Sequence, residues 1–364
     1  MISYNNNSSV VFNISKSLSY SCSIVEDEVP VKALKLGIYS AIMLLSFVGN
    51  CLVIAVVMRT TRMQNVTNYL ICNMAMTDLL ITVFNMPTYL EILITEKYDW
   101  PGGSFGLILC KLVLFIQGMS VAASVLTLTA IAADRFVAVM FPQKKKIIKL
   151  TFVKFVILAI WFLSVLAISP LLYALTVVEQ RGVLICDEKW SPLFDEQTAP
   201  KYYTIAIFVF FYATPLAVMA VLYSVILFRI LSSRTPGHQL AEKEKRERQR
   251  KHRVLIMLVT VVCVFALCWL PMHVRSFLYF FRIESYPCGL PRHLDFIGYF
   301  FGHANSAINV GVYAILNENY RRGFMAIYRD LVLCCSFFNK NSTSQRNNLN
   351  LTVSLSGTNK VTTS

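Results

Sequence analysis

Asp78 is a carboxylic acid set in the middle of an apolar run, LICNMAMTDLLITVFNMP, residues 70 to 87. An unpaired carboxylate at the centre of a lipid-spanning helix costs at least ~2.5–3.5 kcal/mol. It must therefore face other helices and find polar partners, and Ser124, Asn305 and Asn309 lie at comparable depth in their own runs. One acid among neutral oxygens suits a sodium ion or a mobile proton. The competing reading is a protonated Asp that glues helices through hydrogen bonds.

A second chemical pair, Asp134-Arg135, closes the third apolar run. Adjacent acid and base pair locally, and protonation of the acid or parting of the helices frees the base. The plainer reading is an interfacial anchor. Cys110 opens that run and Cys186 follows the next one; Cys22 and Cys288 sit in the same compartment. Four cysteines allow three pairings, and 110–186 with 22–288 is favoured in an oxidising exterior. Cys51, Cys72, Cys263 and Cys268 fall within runs and read as packing residues. Pro87, Pro170, Pro215 and Pro271 interrupt four of the runs, and each removes a backbone donor. Trp269, two residues before Pro271, is placed to report on a pocket at a hinge. The sequence holds no paired intramembrane acids, no HExxH and no glycine-flanked serine nucleophile, so catalysis is not expected.

The elements that position these residues follow from composition. The chain has 364 residues, is 56% hydrophobic and only 15% charged, with mean hydropathy +0.56. Soluble domains carry about a quarter charged residues. A net charge of +14 suggests nucleic acid in a soluble protein, but here the cations cluster in short segments between apolar runs and nucleic acid is not expected. Seven runs are long enough to span lipid, roughly 35–58, 69–94, 107–139, 152–175, 202–231, 253–281 and 293–316. The last is the least apolar. The predicted fold is an all-α membrane protein, a seven-helix bundle over 35–316.

Arg59, Arg62, Lys144, Lys145, Lys146, Lys149 and the basic stretch 241–253 lie on one side, and most acids on the other. The positive side is cytoplasmic, so the N-terminus is expected outside, in a multi-pass plasma-membrane protein. Residues 1–34 form an outer tail with sequons at Asn6, Asn7 and Asn13; the start lacks a basic-then-apolar leader pattern, so the first run is expected to direct its own insertion. Residues 317–335 read as an amphipathic helix on the inner leaflet, touching membrane lipids, with Tyr320, Phe324, Ile327, Tyr328 and Leu331 on one side. Cys334 and Cys335 follow as palmitoylation candidates; the alternative is free thiols. Residues 336–364 are a Ser-, Thr- and Asn-rich tail expected to be disordered. No internal repeat points to a transporter, and a channel would need more buried charge than Asp78.

Taken together, Gly49-Asn50-x-x-Val53, Asp78, Trp100 before Cys110, Asp134-Arg135-Phe136, Trp161, Pro215 with Tyr223, Cys268-Trp269-x-Pro271 and Asn309-x-x-x-Tyr313 resemble the rhodopsin-like G-protein-coupled receptors, over about residues 35–335. The resemblance implies that an agonist near Trp269 favours outward movement of the inner end of helix 6. Phe265 would repack, Tyr223 and Tyr313 would turn inward, and Arg135 would face a heterotrimeric G-protein. It implies sodium held by Asp78, Ser124, Asn305 and Asn309 in the inactive state, and no other cofactor or metal. It also implies receptor kinase and arrestin acting at the Ser/Thr tail.

Four positions depart from the pattern. Phe136 replaces the usual Tyr, and Val310 stands where Pro is usual, restoring a backbone donor to helix 7. Lys251 replaces an acid that often faces Arg135, which predicts raised basal signalling. Gln143 follows Pro142 where a bulky apolar residue is common.

Gln117 occupies the position at which amine receptors carry Asp, and a neutral amide cannot neutralise an ammonium. His303 stands where opsins have their Lys. With CWLPMH, Gln117 resembles the neuropeptide Y, neuropeptide FF, tachykinin, orexin and galanin receptor group. The expected ligand is an extracellular peptide, drawn as a basic peptide to acidic outer loops. The alternative is a lipid or other non-amine small molecule. The candidate ligand-binding residues are Tyr89, Glu91, Gln117, Trp269, His273, Arg275, Tyr299 and His303. Each aromatic or His has ordinary packing as its rival reading. Glu91 and Arg275 could instead pair with other loop charges.

Overall fold

The computed structural model describes residues 27–141, 150–180, 182–232, 241–282, 290–330 and 332. Cys22, Cys288, the three sequons, Lys144 to Lys149, Gln143, Cys334, Cys335 and the tail 336–364 lie outside them, as does the Lys251 side chain.

Seven long helices follow in order: α1 (Val29–Arg59), α2 (Val66–Thr95), α3 (Gly103–Met140), α4 (Leu150–Ala174), α5 (Ala199–Ser232), α6 (Ala241–Arg282) and α7 (Arg292–Leu316). Residues 318–330 form the short helix α8. Between α4 and α5 an antiparallel hairpin pairs β1 (Leu175–Gln180) with β2 (Val183–Glu188). The helices overrun the apolar runs at most ends. Hydropathy marks only the stretch that crosses lipid, whereas caps and charged turns also hold helix. Asn65 starts α2 by accepting the Asn68 amide at 3.1 Å. Glu96 ends it in the left-handed region, φ 55°.

Helices α1 to α6 contain 18-residue stretches of mean hydropathy 1.3 to 2.7. α7 has 25 residues but carries His303, Asn305, Ser306 and Asn309, all buried. Its polar side chains face α1, α2 and α6 rather than lipid, so it crosses despite its low hydropathy. The outward faces show the reverse pattern: Leu44, Leu45, Phe155, Phe162, Phe228, Leu267 and Ile315 are exposed. Apolar outside and polar inside is the arrangement that lipid selects. α3 is the hub, packing on α2, α4 and α5, while α7 packs on α6 and α1.

Two of the prolines are absorbed by π-helical turns, Ile81–Asn85 before Pro87 and Val209–Ala213 before Pro215. Widening the helix by one residue relieves the missing donor and re-aims the outer end. Pro170 breaks α4 at Ser169; Pro271 is carried inside α6. Gly49 explains how Val310 is accommodated. A Cβ at Gly49 would stand 2.6 Å from Val310 Cγ1, so the valine seats directly on the α1 backbone. At the inner end Gly323 of α8 lies equally close under Val56. Tyr320 of α8 is fully buried and stacks on Tyr313, centroids 5.5 Å apart. Its outward residues Met325 and Tyr328 stay exposed.

Candidate functional site

A column of buried polar groups runs through the bundle. At its middle Asp78 is 1% exposed. Ser306 Oγ donates to Asp78 Oδ1 at 2.7 Å and Asn309 Nδ2 to Oδ2 at 3.2 Å. Ser124 is turned to Thr77, with hydroxyls 2.7 Å apart, and Asn305 makes no bond to Asp78. The two direct partners are thus Ser306, which sequence reasoning missed, and Asn309. Ser306 was readable: it lies one helical turn before Asn309, on the stripe Asp295, Tyr299, His303, Ser306, Asn309, Tyr313. Around this centre Asn305 Oδ1, Asn309 Oδ1 and Ser120 Oγ are buried without a hydrogen-bond partner. Oxygen donors beside a carboxylate suit a hard monovalent cation.

Two further amides brace the column. Asn50 Nδ2 donates to the Ser46 carbonyl at 2.8 Å and the Ser306 carbonyl at 3.2 Å, joining α1 to α7. Asn73 donates to Thr127 at 2.8 Å and accepts Trp161 Nε1 at 2.9 Å, joining α2, α3 and α4.

At the inner end Arg135 donates through Nε (3.0 Å) and Nη2 to Asp134 Oδ2, and Thr67 Oγ1 donates to the same oxygen at 2.8 Å. Thr67, from the start of α2, is a partner the sequence did not suggest. Tyr223 and Tyr313 are buried on α5 and α7. Among the described residues Tyr313 Oη reaches only the Met74 sulfur, at 4.0 Å.

Above Asp78, Trp269 is 4% exposed with its Nε1 unpartnered, and its ring lies 6.3 Å from that of Phe265. Gly302 makes room for it: a Cβ there would stand 3.3 Å from the indole. Over this level lies an aromatic floor. Tyr89 stacks on Tyr299 (4.5 Å) and meets Tyr39 (5.4 Å) and His303 (6.0 Å). Tyr39 Oη is 2.6 Å from His303 Nδ1, and His303 Nε2 is unpartnered. Asn85, one turn below Tyr89, is buried with both amide atoms unpartnered. On the far side His273 packs on Tyr212 (4.4 Å) and Phe208 (5.3 Å). Gln117 is half-buried on α3.

The structure brings Tyr89, Tyr299, His303 and Arg275 together, but not Glu91. The buried face of α2 runs Asn85, Tyr89, Ile92 and Leu93, and Glu91 is exposed on the other side of the helix. Arg275 does take a charged partner, Asp295, and lies over the Tyr299 ring at 5.1 Å.

The mouth is roofed by the β1–β2 hairpin. Cys110 and Cys186 are disulfide-bonded, Cα–Cα 5.5 Å, which pins β2 to the outer end of α3. Trp100 N donates to the Leu184 carbonyl at 2.7 Å, and Trp100 Nε1 to the Gly106 carbonyl at 2.7 Å. Several outer acids are paired within the protein: Glu96 with Lys32 and Arg292, Asp27 with Lys35, Asp295 with Arg275. The Lys32 and Arg292 hydrogen bonds hold Glu96 below the ordinary carboxylate range. Asp187 and Glu188 have no cation beside them among the described residues, and burial pushes both carboxyls up.

A lipid-facing shell, a polar column and a roofed outer mouth define a seven-helix membrane receptor. The chain belongs to the rhodopsin family of seven-transmembrane receptors, whose family model matches residues 49–313, and it is a multi-pass plasma-membrane protein. It is 35% identical over 345 residues to neuropeptide FF receptor 1 of Rattus norvegicus, covering 89% of this chain and 76% of that one. To the RYamide receptor of Drosophila melanogaster it is 30% identical over 334 residues, 87% and 69% covered. To a QRFP-like peptide receptor of Branchiostoma floridae it is 35% identical over 314 residues, 82% and 78% covered.

Proposed function

We propose that this receptor is switched by an extracellular peptide that enters under the hairpin and rests on the floor formed by Tyr89, Tyr299 and His303. The observation that carries this is the roofed mouth: a disulfide-anchored hairpin above an aromatic floor with unpartnered polar atoms at His303 and Asn85. The relatives, receptors for peptides by name, support the same reading. Asp187 and Glu188, which directly follow the bridged Cys186 and have no cation beside them among the described residues, would favour a peptide carrying Lys or Arg.

In this reading the N-terminus is outside, on the side of the disulfide and opposite Arg59, Arg62 and Arg135. Peptide contacts near Trp269 favour the state in which the inner end of α6 moves outward. Arg135 then leaves Asp134, which keeps its Thr67 donor, for the G-protein, and Tyr223 and Tyr313 close behind it. A ligand shifts this balance only by its differential affinity for the two states. Receptor kinase and arrestin would act at the tail. A sodium ion held by Asp78 and Asn309, with Asn305, Ser120 and Ser124 as further oxygen donors, would favour the inactive state.

A panel of neuropeptides applied to cells expressing the receptor with a promiscuous G-protein tests this. At least one peptide is expected to evoke a saturable response. Gln117→Ala and Tyr299→Ala are each expected to lower its potency about 10-fold, the scale of one buried polar or aromatic contact. A response unchanged by both substitutions refutes the assigned pocket.

A further inference from the structure

Tyr212 crosses the seam between α5 and α6. It is 8% exposed, and its hydroxyl donates to the Ala266 carbonyl at 2.7 Å. Its place in the chain explains the reach. Tyr212 belongs to the π-helical turn Val209–Ala213. One extra residue in that turn rotates the outer part of α5 by about 100°. Phe208 and Tyr212 then both face α6, and both meet the His273 ring, at 5.3 and 4.4 Å. Ala266 adjoins Phe265, a buried ring 6.3 Å from Trp269. It is also next to the weak point of α6. Pro271 withholds the donor that the Leu267 carbonyl, four residues back, would otherwise take. The acceptor of Tyr212 is therefore on the inner side of the hinge, on the segment that an outward swing carries away from α5.

The contacts across this seam respond differently to displacement. Ring contacts slide. A hydrogen bond at 2.7 Å is gone once its atoms part by about 1 Å. With Arg135 still on Asp134, this is the arrangement from which the proposed switch starts. We propose that the Tyr212 hydroxyl is a latch that holds α6 in the resting arrangement, and that His273, packed on the same ring, keeps the latch closed. Tyr212 is a positioning residue: it acts through α6, and its hydroxyl need touch no ligand. The proposal rests on the reading that the outward swing of α6 activates the G-protein, and it names what opposes that swing when no peptide is bound. A bond made in one state alone biases the balance by its whole net worth. A ligand that turns His273 disturbs the donor, because the two rings share one stack.

The test needs no peptide. Wild type, Tyr212→Phe, His273→Ala and the double variant are reconstituted in lipid discs, each with Cys51 and Cys263 replaced and spin labels at residues 62 and 253, both exposed. Tyr212→Phe keeps the ring and loses the donor. It should raise the longer-distance population, and basal nucleotide exchange on an added G-protein, by a similar factor, about 2- to 10-fold for one net hydrogen bond. p-Aminophenylalanine in place of Tyr212 restores an N–H donor and should bring both back toward the wild-type level. His273→Ala should raise both as well, and adding Tyr212→Phe to it should change them less than about two-fold. A merely structural tyrosine would lower thermal stability and leave both readouts unmoved. That result, or a fall in the longer-distance population, overturns the latch. Full additivity of the two substitutions overturns the role of His273. A longer-distance population that rises without exchange supports the latch and overturns the reading that the swing activates the G-protein.

Discussion

Replacing both Cys110 and Cys186 by serine is expected to abolish peptide binding while leaving the helices inserted. The bridge spans 76 residues of sequence. Chain-entropy arguments give about 4.5 kcal/mol for closing a loop of that size. That is an upper figure, because α3 and α4 are already confined by the membrane. Without the bridge, the hairpin keeps its own ladder and the Trp100–Leu184 hydrogen bond, too little to hold β2 over α3. Asp187 and Glu188 directly follow Cys186 and would leave the mouth with it. The double substitution avoids a lone thiol that could mispair. Surface immunodetection together with binding of an active labelled peptide checks this. Normal binding by the bridge-less receptor would show that the hairpin does not shape the site.

The second large effect is expected at Asp78. In the wild type, replacing N-methylglucamine by sodium at constant ionic strength should weaken agonist binding by roughly 5-fold or more, the usual scale of coupling between two sites. Asp78→Asn should flatten this dependence. The amide is nearly isosteric and can still accept from Ser306, so the bundle should survive. Asp78→Ala should also lower thermal stability, because the buried Ser306 and Asn309 donors would each lose an acceptor at about 1–3 kcal/mol apiece. Equal sodium sensitivity in wild type and Asp78→Asn would leave Asp78 as helix glue and remove the cation from the account.

The spans, the buried Asp78 and the Asp134–Arg135 pair are legible because each rests on a local signal. A run of apolar residues sets length, and an acid inside such a run must find partners. The α7 stripe from Asp295 to Tyr313 was equally periodic, yet Ser306 and Asp295 were passed over. A serine beside two asparagines carries no charge to mark it, and Asp295 lies at the edge of its apolar run, where an acid needs no buried partner. Glu91 shows the opposite failure. Its charge makes it a partner for an Arg of a peptide, but the helical period places it a half-turn away from the buried face. The Tyr39–His303 bond joins residues 264 apart in sequence, and Thr67 reaches Asp134 across 67. Such contacts follow from packing and carry no local signature. Gly49 and Val310 are intermediate: each stands out alone, one as a motif glycine and one as a departure from Pro, and only the close approach of α1 and α7 makes them a pair.

The central claim is that a peptide at the outer mouth moves the inner end of α6. Spin labels at residue 253 on α6 and residue 62 beyond α1, both exposed, report on it in receptor reconstituted in lipid discs with Cys51 and Cys263 replaced. An activating peptide is expected to add a population at longer distance, displaced on the order of a helix diameter, ~10 Å. Arg135→Ala should keep that population while losing nucleotide exchange on the G-protein. A distance distribution unmoved by a saturating peptide that still drives exchange would contradict the account.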